Sequence, residues 1–233
     1  MAITTQTVEF ASNGGTAGGY LALPESGSGP GVVVVQEWWG LDPSIKIMVD
    51  RLAEAGFVAL APDLYHGELA AHDEMDKAGH LMQSLPPDRA AKDMSGAVDY
   101  LAGSAAVTSD GLGVMGFCMG GMLTFLLAAG RGDRIRAAVP FYGFPGPDSE
   151  PDWSGLTAVI RGHMAANDDF FTPDGALALE KKLNDLGKDV QLTVHPGSGH
   201  AFMNPMNPLG THDPELAARC WAEATSFLHS QLG

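Results

Sequence analysis

An α/β fold, with a mainly parallel central sheet and helices on both faces, is predicted by three features of this 233-residue sequence. Short apolar runs alternate with longer segments of helical period, the pattern of parallel strands joined by crossover helices. Residues 31–35 (Gly-Val-Val-Val-Val) and 57–61 (Phe-Val-Ala-Leu-Ala) are unbroken apolar runs, as expected of strands buried on both faces. A further apolar run ends in Gly116-Phe117-Cys118-Met119-Gly120-Gly121 and passes into an apolar helical pattern over 122–129.

The elements follow in order. Residues 7–10 and 20–23 read as two strands joined by a glycine turn around Gly14 and Gly15. After the strand at 31–35 comes a helical pattern at 43–55, then the strand at 57–61 and helices at 73–82 and 88–102. Beyond the cysteine segment, strands are expected at 137–141, 157–162 and 190–194, and helices at 173–186 and 214–232. No low-complexity linker or solenoid repeat interrupts this alternation, so residues 1–233 read as a single domain.

Composition narrows the function. The formal charge is −15, and no basic stripe is present to displace counterions from a nucleic acid or to hold an anionic membrane. Cys118 and Cys220 give no disulfide framework. Residues 1–11 lack a basic segment followed by an apolar one, and no apolar run approaches a membrane span. A cytoplasmic protein, monomeric or a small homo-oligomer, acting on a small molecule, is the expectation.

The chemistry centres on Cys118. Gly-x-Cys-x-Gly between a strand and a helix is the layout of a nucleophile elbow, with a thiol in the usual place of a serine. The following helix would present its positive end to the sulfur and favour the thiolate. A base comes from Gly197-Ser198-Gly199-His200-Ala201-Phe202, which follows the last strand and can reach the carboxyl edge of the sheet. A carboxylate comes from Asn167-Asp168-Asp169-Phe170, in the loop after the strand predicted to end near Gly162. The order nucleophile, acid, histidine is that of α/β-hydrolases. Glu37 leaves the strand at 31–35 within Gln36-Glu37-Trp38-Trp39-Gly40, where burial should raise its pKa. The backbone N–H groups of Trp38 and Met119 are the natural oxyanion donors. Spacing offers no metal motif: His195 and His200 stand five apart with neither H-E-x-x-H nor paired cysteines.

Taken together, Gln36-Glu37-Trp38-Trp39-Gly40, Gly116-Phe117-Cys118-Met119-Gly120-Gly121 and Gly199-His200-Ala201-Phe202 closely resemble the dienelactone hydrolases (carboxymethylenebutenolidases) over nearly the whole chain. The resemblance implies an α/β-hydrolase fold and a Cys118–His200–Asp triad that cleaves lactone or ester carbonyls without a cofactor. It also implies that Glu37 holds the resting thiol and that Tyr142 belongs to the pocket. Counting from His163 selects Asp168 as the acid, counting back from Pro173 selects Asp169, and the reach of the loop from its strand favours Asp168. Trp38, Trp39, Tyr142, Phe171 and Phe202 would line a pocket for a small, partly apolar acyl compound.

One departure concerns specificity. The serine and arginine expected after the histidine, part of a substrate-carboxylate clamp, are here Ala201 and Asn204. The helix at 73–82 offers only Lys77 as a cation. An anionic dienelactone would thus find a weak charge partner. Glutaminase-type amide chemistry is disfavoured, since no His-x-Glu pair occurs near His200. A binding or sensing protein that kept the hydrolase fold without turnover is the alternative.

Overall fold

The computed structural model describes residues 2–233 and contains an eight-stranded sheet in the order β1-β2-β4-β3-β5-β6-β7-β8. β1 (Thr4–Ser12) and β2 (Gly15–Leu23) form the expected hairpin, and β2 runs antiparallel to β4 (Val58–Pro62). From β4 through β3 (Gly31–Val35), β5 (Leu112–Phe117), β6 (Ile135–Phe141), β7 (Val159–Asn167) and β8 (Val190–Gly199) every pairing is parallel. The mainly parallel sheet is as the sequence predicts.

Six helices cover it: α1 (Pro43–Glu54), α2 (Met75–Ser84), α3 (Pro87–Ala102), α4 (Met119–Gly130), α5 (Pro173–Asp185) and α6 (Pro214–Leu232). Strand alternation divides the core between two faces. Val33 and Val35 join a buried cluster with Met94 of α3, Phe125 of α4 and Leu179 of α5. Val32 and Val34 join a second cluster with Ile45 of α1 and Leu228 of α6. Proline opens α1, α3, α5 and α6, where its fixed φ costs nothing and its missing N–H is not needed. Asp42, Thr172 and Asp213 cap α1, α5 and α6 by accepting the N–H of Ile45, Gly175 and Leu216. No helix among the described residues is long and apolar enough to cross a membrane.

Three boundaries differ from expectation in ways that matter for the site. β7 extends past Gly162 to Asn167, and β8 extends past Val194 to Gly199. Polar residues in these extensions hide the strand from an apolar reading, yet His163 and His195 satisfy each other inside the sheet face, Nδ1 to Nε2, at 3.1 Å. The other change is at α4, which begins at Met119 rather than Met122. Gly120 and Gly121 weaken the helical signal there, but they let α4 press onto the ends of β3 and β6.

Candidate active site

Strand register brings the candidate side chains together. Val35 of β3 pairs with Gly116 of β5, so Glu37 and Cys118, each two residues further, leave the sheet at one level. Asn167 of β7 pairs with Gly199 of β8, so Asp168 and His200, each one residue further, do the same. All four emerge at the carboxyl edge, where open α/β sheets place their ligands.

Cys118 occupies a backbone conformation that L-residues rarely adopt, with φ 55° and ψ −119°. The flanking glycines make it possible. A Cβ on Gly116 would stand 2.1 Å from the Gly120 oxygen, and one on Gly120 would stand 2.2 Å from the Val35 oxygen. The backbone N–H of Cys118 donates to the Phe141 oxygen at 3.0 Å, tying the elbow to β6. The residue is partly exposed and faces a cavity of about 240 Å³ that it shares with His200.

His200 is buried, and its Nδ1 lies 2.7 Å from Oδ2 of Asp168. The other oxygen of Asp168 accepts the N–H groups of Phe170 at 2.9 Å and Phe171 at 3.0 Å. These bonds fix the carboxylate, which in turn orients the ring and leaves its Nε2 side free for chemistry. Asp169 is exposed on the same loop. The sequence left two aspartates; the geometry singles out Asp168 as the partner of His200.

Glu37 is buried, with Oε1 accepting the hydroxyl of Tyr142 at 3.2 Å and Oε2 accepting the amide of Asn204 at 2.8 Å. Burial raises its pKa, as expected from its place at the strand end; the Asn204 bond opposes the rise. Burial likewise raises the Cys118 thiol well above its ordinary value, and the Glu37 charge adds to the effect. The N–H groups of Met119 and Trp38 bond the sulfur and pull the other way without winning. A resting thiolate favoured by the α4 terminus is therefore not what this site holds: desolvation and the nearby carboxylates outweigh the helix end, and the thiol is neutral at pH 7. Tyr65 donates its hydroxyl to the Trp38 oxygen at 3.1 Å, fixing the peptide that follows Glu37.

The cavity lining departs from the expected aromatic set. Trp38 and Phe171 line it, together with Met82, Met119, Met122, Phe170 and Leu209. Trp39, Tyr142 and Phe202 do not. Trp39 is buried against Trp38 and His72, Phe202 is packed under Tyr142, and Tyr142 turns its hydroxyl to Glu37. Aromatic residues beside a motif are recognisable in sequence, but which side of the edge they face depends on backbone turns such as the positive φ of 35° at Tyr142. Asn204 also escaped a catalytic reading. Its position in Phe202-Met203-Asn204 marks where a clamp arginine was expected, and it instead holds Glu37. Lys77 is exposed, with Glu74 at 3.7 Å, and does not line the cavity.

Comparison with known proteins agrees with this architecture. The family described as "Dienelactone hydrolase family" matches residues 17–232. "Protein usf" of Aquifex pyrophilus is 38% identical over 233 residues, covering 97% of this chain and 99% of its own. "Carboxymethylenebutenolidase 1" of Cupriavidus pinatubonensis is 32% identical over 213 residues, covering 86% of this chain and 87% of its own. Among solved structures, a dienelactone hydrolase-like promiscuous phosphotriesterase from metagenomic libraries superposes with a TM-score of 0.85 at 24% identity, over 100% of both chains, and so shares the fold. The chain is a hydrolase of the α/β-hydrolase fold and belongs to the dienelactone hydrolase family.

Proposed function

We propose that this protein, as a single cytoplasmic domain, hydrolyses a small lactone or carboxylic ester through Cys118, His200 and Asp168. The observation that carries the reading is one shared cavity. Cys118 and His200 line it together, Asp168 anchors the far side of the imidazole, and the Trp38 and Met119 N–H groups converge on the sulfur.

In this reading the bound carbonyl displaces those N–H groups from sulfur to oxygen, where they stabilise the developing oxyanion. The Cys118 proton passes to His200 as sulfur attacks the acyl carbon. Collapse of the tetrahedral adduct breaks the C–O bond, and the imidazolium returns the proton to the departing oxygen. Water then gives a proton to His200 and attacks the thioester carbon, which releases the carboxylic acid and restores the thiol. Asp168 holds the tautomer and stabilises the imidazolium in both halves. Glu37, tied by Tyr142 and Asn204, keeps the thiol protonated until substrate arrives, which protects it from oxidation between turnovers.

The lining supports a neutral acyl group. Trp38, Met82, Met122, Phe170, Phe171 and Leu209 are apolar contributors, and Lys77 stands outside. Neutral aryl esters and lactones should outperform an anionic dienelactone in kcat/KM. Cys118→Ala should abolish cleavage while leaving the circular dichroism spectrum intact, and intact-protein mass spectrometry should catch an acyl adduct on wild type that the variant lacks. Undiminished turnover by Cys118→Ala removes the proposal. A protein that binds these compounds yet never acylates returns the reading to a hydrolase-fold binding protein.

A further inference from the structure

A second cluster of chemistry-bearing side chains lies outside the catalytic edge, between the sheet and α6. His163 of β7, His195 of β8 and Cys220 of α6 are all buried and come from three separate parts of the chain. Nδ1 of His163 stands 3.1 Å from Nε2 of His195, and that same Nε2 stands 3.4 Å from Sγ of Cys220. All three atoms lie within 4.8 Å of one another. In sequence His195 has no metal-ligand partner at any standard spacing; the fold gives it two.

We infer that His163, His195 and Cys220 form a binding site for one zinc ion, distinct from the catalytic cavity. The distances carry the assignment. Zinc bonds of 2.0–2.1 Å to nitrogen and 2.3 Å to sulfur, at tetrahedral angles, put ligand nitrogens about 3.3 Å apart and nitrogen and sulfur about 3.6 Å apart. The His163–His195 and His195–Cys220 edges are within a few tenths of an ångström of those values, and the His163–Cys220 edge is no longer than 4.8 Å, so a modest adjustment of the three side chains admits the ion. Two imidazoles and a thiolate are the donor set that borderline cations of this kind prefer over calcium or magnesium. Glu223 stands beside the cluster, its Oε2 4.0 Å from Nδ1 of His163.

Access is present. A surface cavity of about 240 Å³ is lined by His163, Glu223, Ala224 and Phe227 among others, so it reaches the His163 side of the cluster from solvent, with His195 and Cys220 behind it. Binding removes one proton, which leaves the Cys220 thiol for solvent as the sulfur–zinc bond forms. The result ties α6 to β7 and β8. Because the backbone oxygen of His163 accepts the N–H of Tyr142 at 2.8 Å, the clip also stiffens the strand end that carries the Glu37 partner.

The test uses full-length Cys118→Ala protein, so that the catalytic thiol contributes nothing. After EDTA treatment and buffer exchange, zinc chloride should bind at one equivalent by calorimetry and raise the melting temperature by several degrees. Cobalt(II) in its place should give a cobalt–thiolate charge-transfer band. Cys220→Ala added to this background should lose the band and at least tenfold in zinc affinity. His163→Asn, a neutral replacement on a different element, should lose affinity by a similar factor. Spectra and melting curves without metal confirm that both variants fold. Zinc binding unchanged by either substitution, or a metal-free plateau in the titration, overturns the site and shows the cluster to be a hydrogen-bonded packing group only. Neither outcome bears on the ester chemistry.

Discussion

At the scale of single residues, opposing forces act on one sulfur. Burial and the Glu37 and Asp168 charges raise the Cys118 thiol, while two backbone N–H groups lower it. Replacing Glu37 by Gln removes a negative charge without changing size, so the thiol should become more acidic. Alkylation of the resting enzyme by iodoacetamide requires the thiolate, so its pH profile should move to lower pH in Glu37→Gln and the rate at pH 8 should rise. An unmoved profile would show that burial alone sets the thiol. The paired aspartates make a second contrast. Asp168→Asn leaves His200 without a carboxylate and permits the wrong tautomer, a change that costs up to roughly 10⁴-fold in kcat where a triad acid is neutralised. Asp169→Asn, on an exposed residue that makes no bond to His200, should leave kcat within about twofold, inside the usual effect of a surface change. Steady-state kinetics on the two variants decide the assignment.

At the scale of elements, sequence and structure agree where local chemistry dominates and part where tertiary contacts do. The apolar runs of β3, β4 and β5 and the proline-opened helices were legible, because burial on both faces and a fixed φ leave plain signatures. The convergence of Cys118, His200, Glu37 and Asp168 on one sheet edge was legible because each sits one or two residues past a strand end. The far halves of β7 and β8 were not, since their histidines are satisfied by contacts more than thirty residues away. The pocket lining was legible least of all. α2 supplies Met82, yet nothing in residues 73–82 distinguishes a cavity residue from an exposed methionine. That helix also offers a test of the proposed specificity. Met82→Arg places a cation at the cavity mouth, where an anionic lactone gains about tenfold in kcat/KM if the pair contributes roughly 1.4 kcal/mol. A neutral ester should change by less than about threefold, and the anionic gain should shrink in high salt. Equal changes for both substrates would place Met82 in packing rather than in charge selection.

At the scale of the whole molecule, acids with raised pKa values set a limit in alkali. Cys118 and Tyr142 are raised above their ordinary values of 9.0 and 10.0, chiefly by burial, and Cys220 is pushed up to about 12. The unfolded chain releases these protons at the ordinary values, whereas the folded chain keeps them. Their contribution to stability is therefore complete below about pH 9 and is lost as pH rises toward 12, at about 1.4 kcal/mol per pH unit for each thiol. The net charge of −15 adds self-repulsion in the same direction, so wild type alone does not separate the causes. Cys118→Ala does: it removes one proton-linked group and leaves the charge below pH 9 unchanged. Urea denaturation with EDTA present, from pH 7 to 11, should show both proteins losing stability above pH 9, the variant with the shallower slope. Parallel curves would mean that the Cys118 thiol ionises in the folded protein as readily as in the open chain, and the neutral resting site would fall with it.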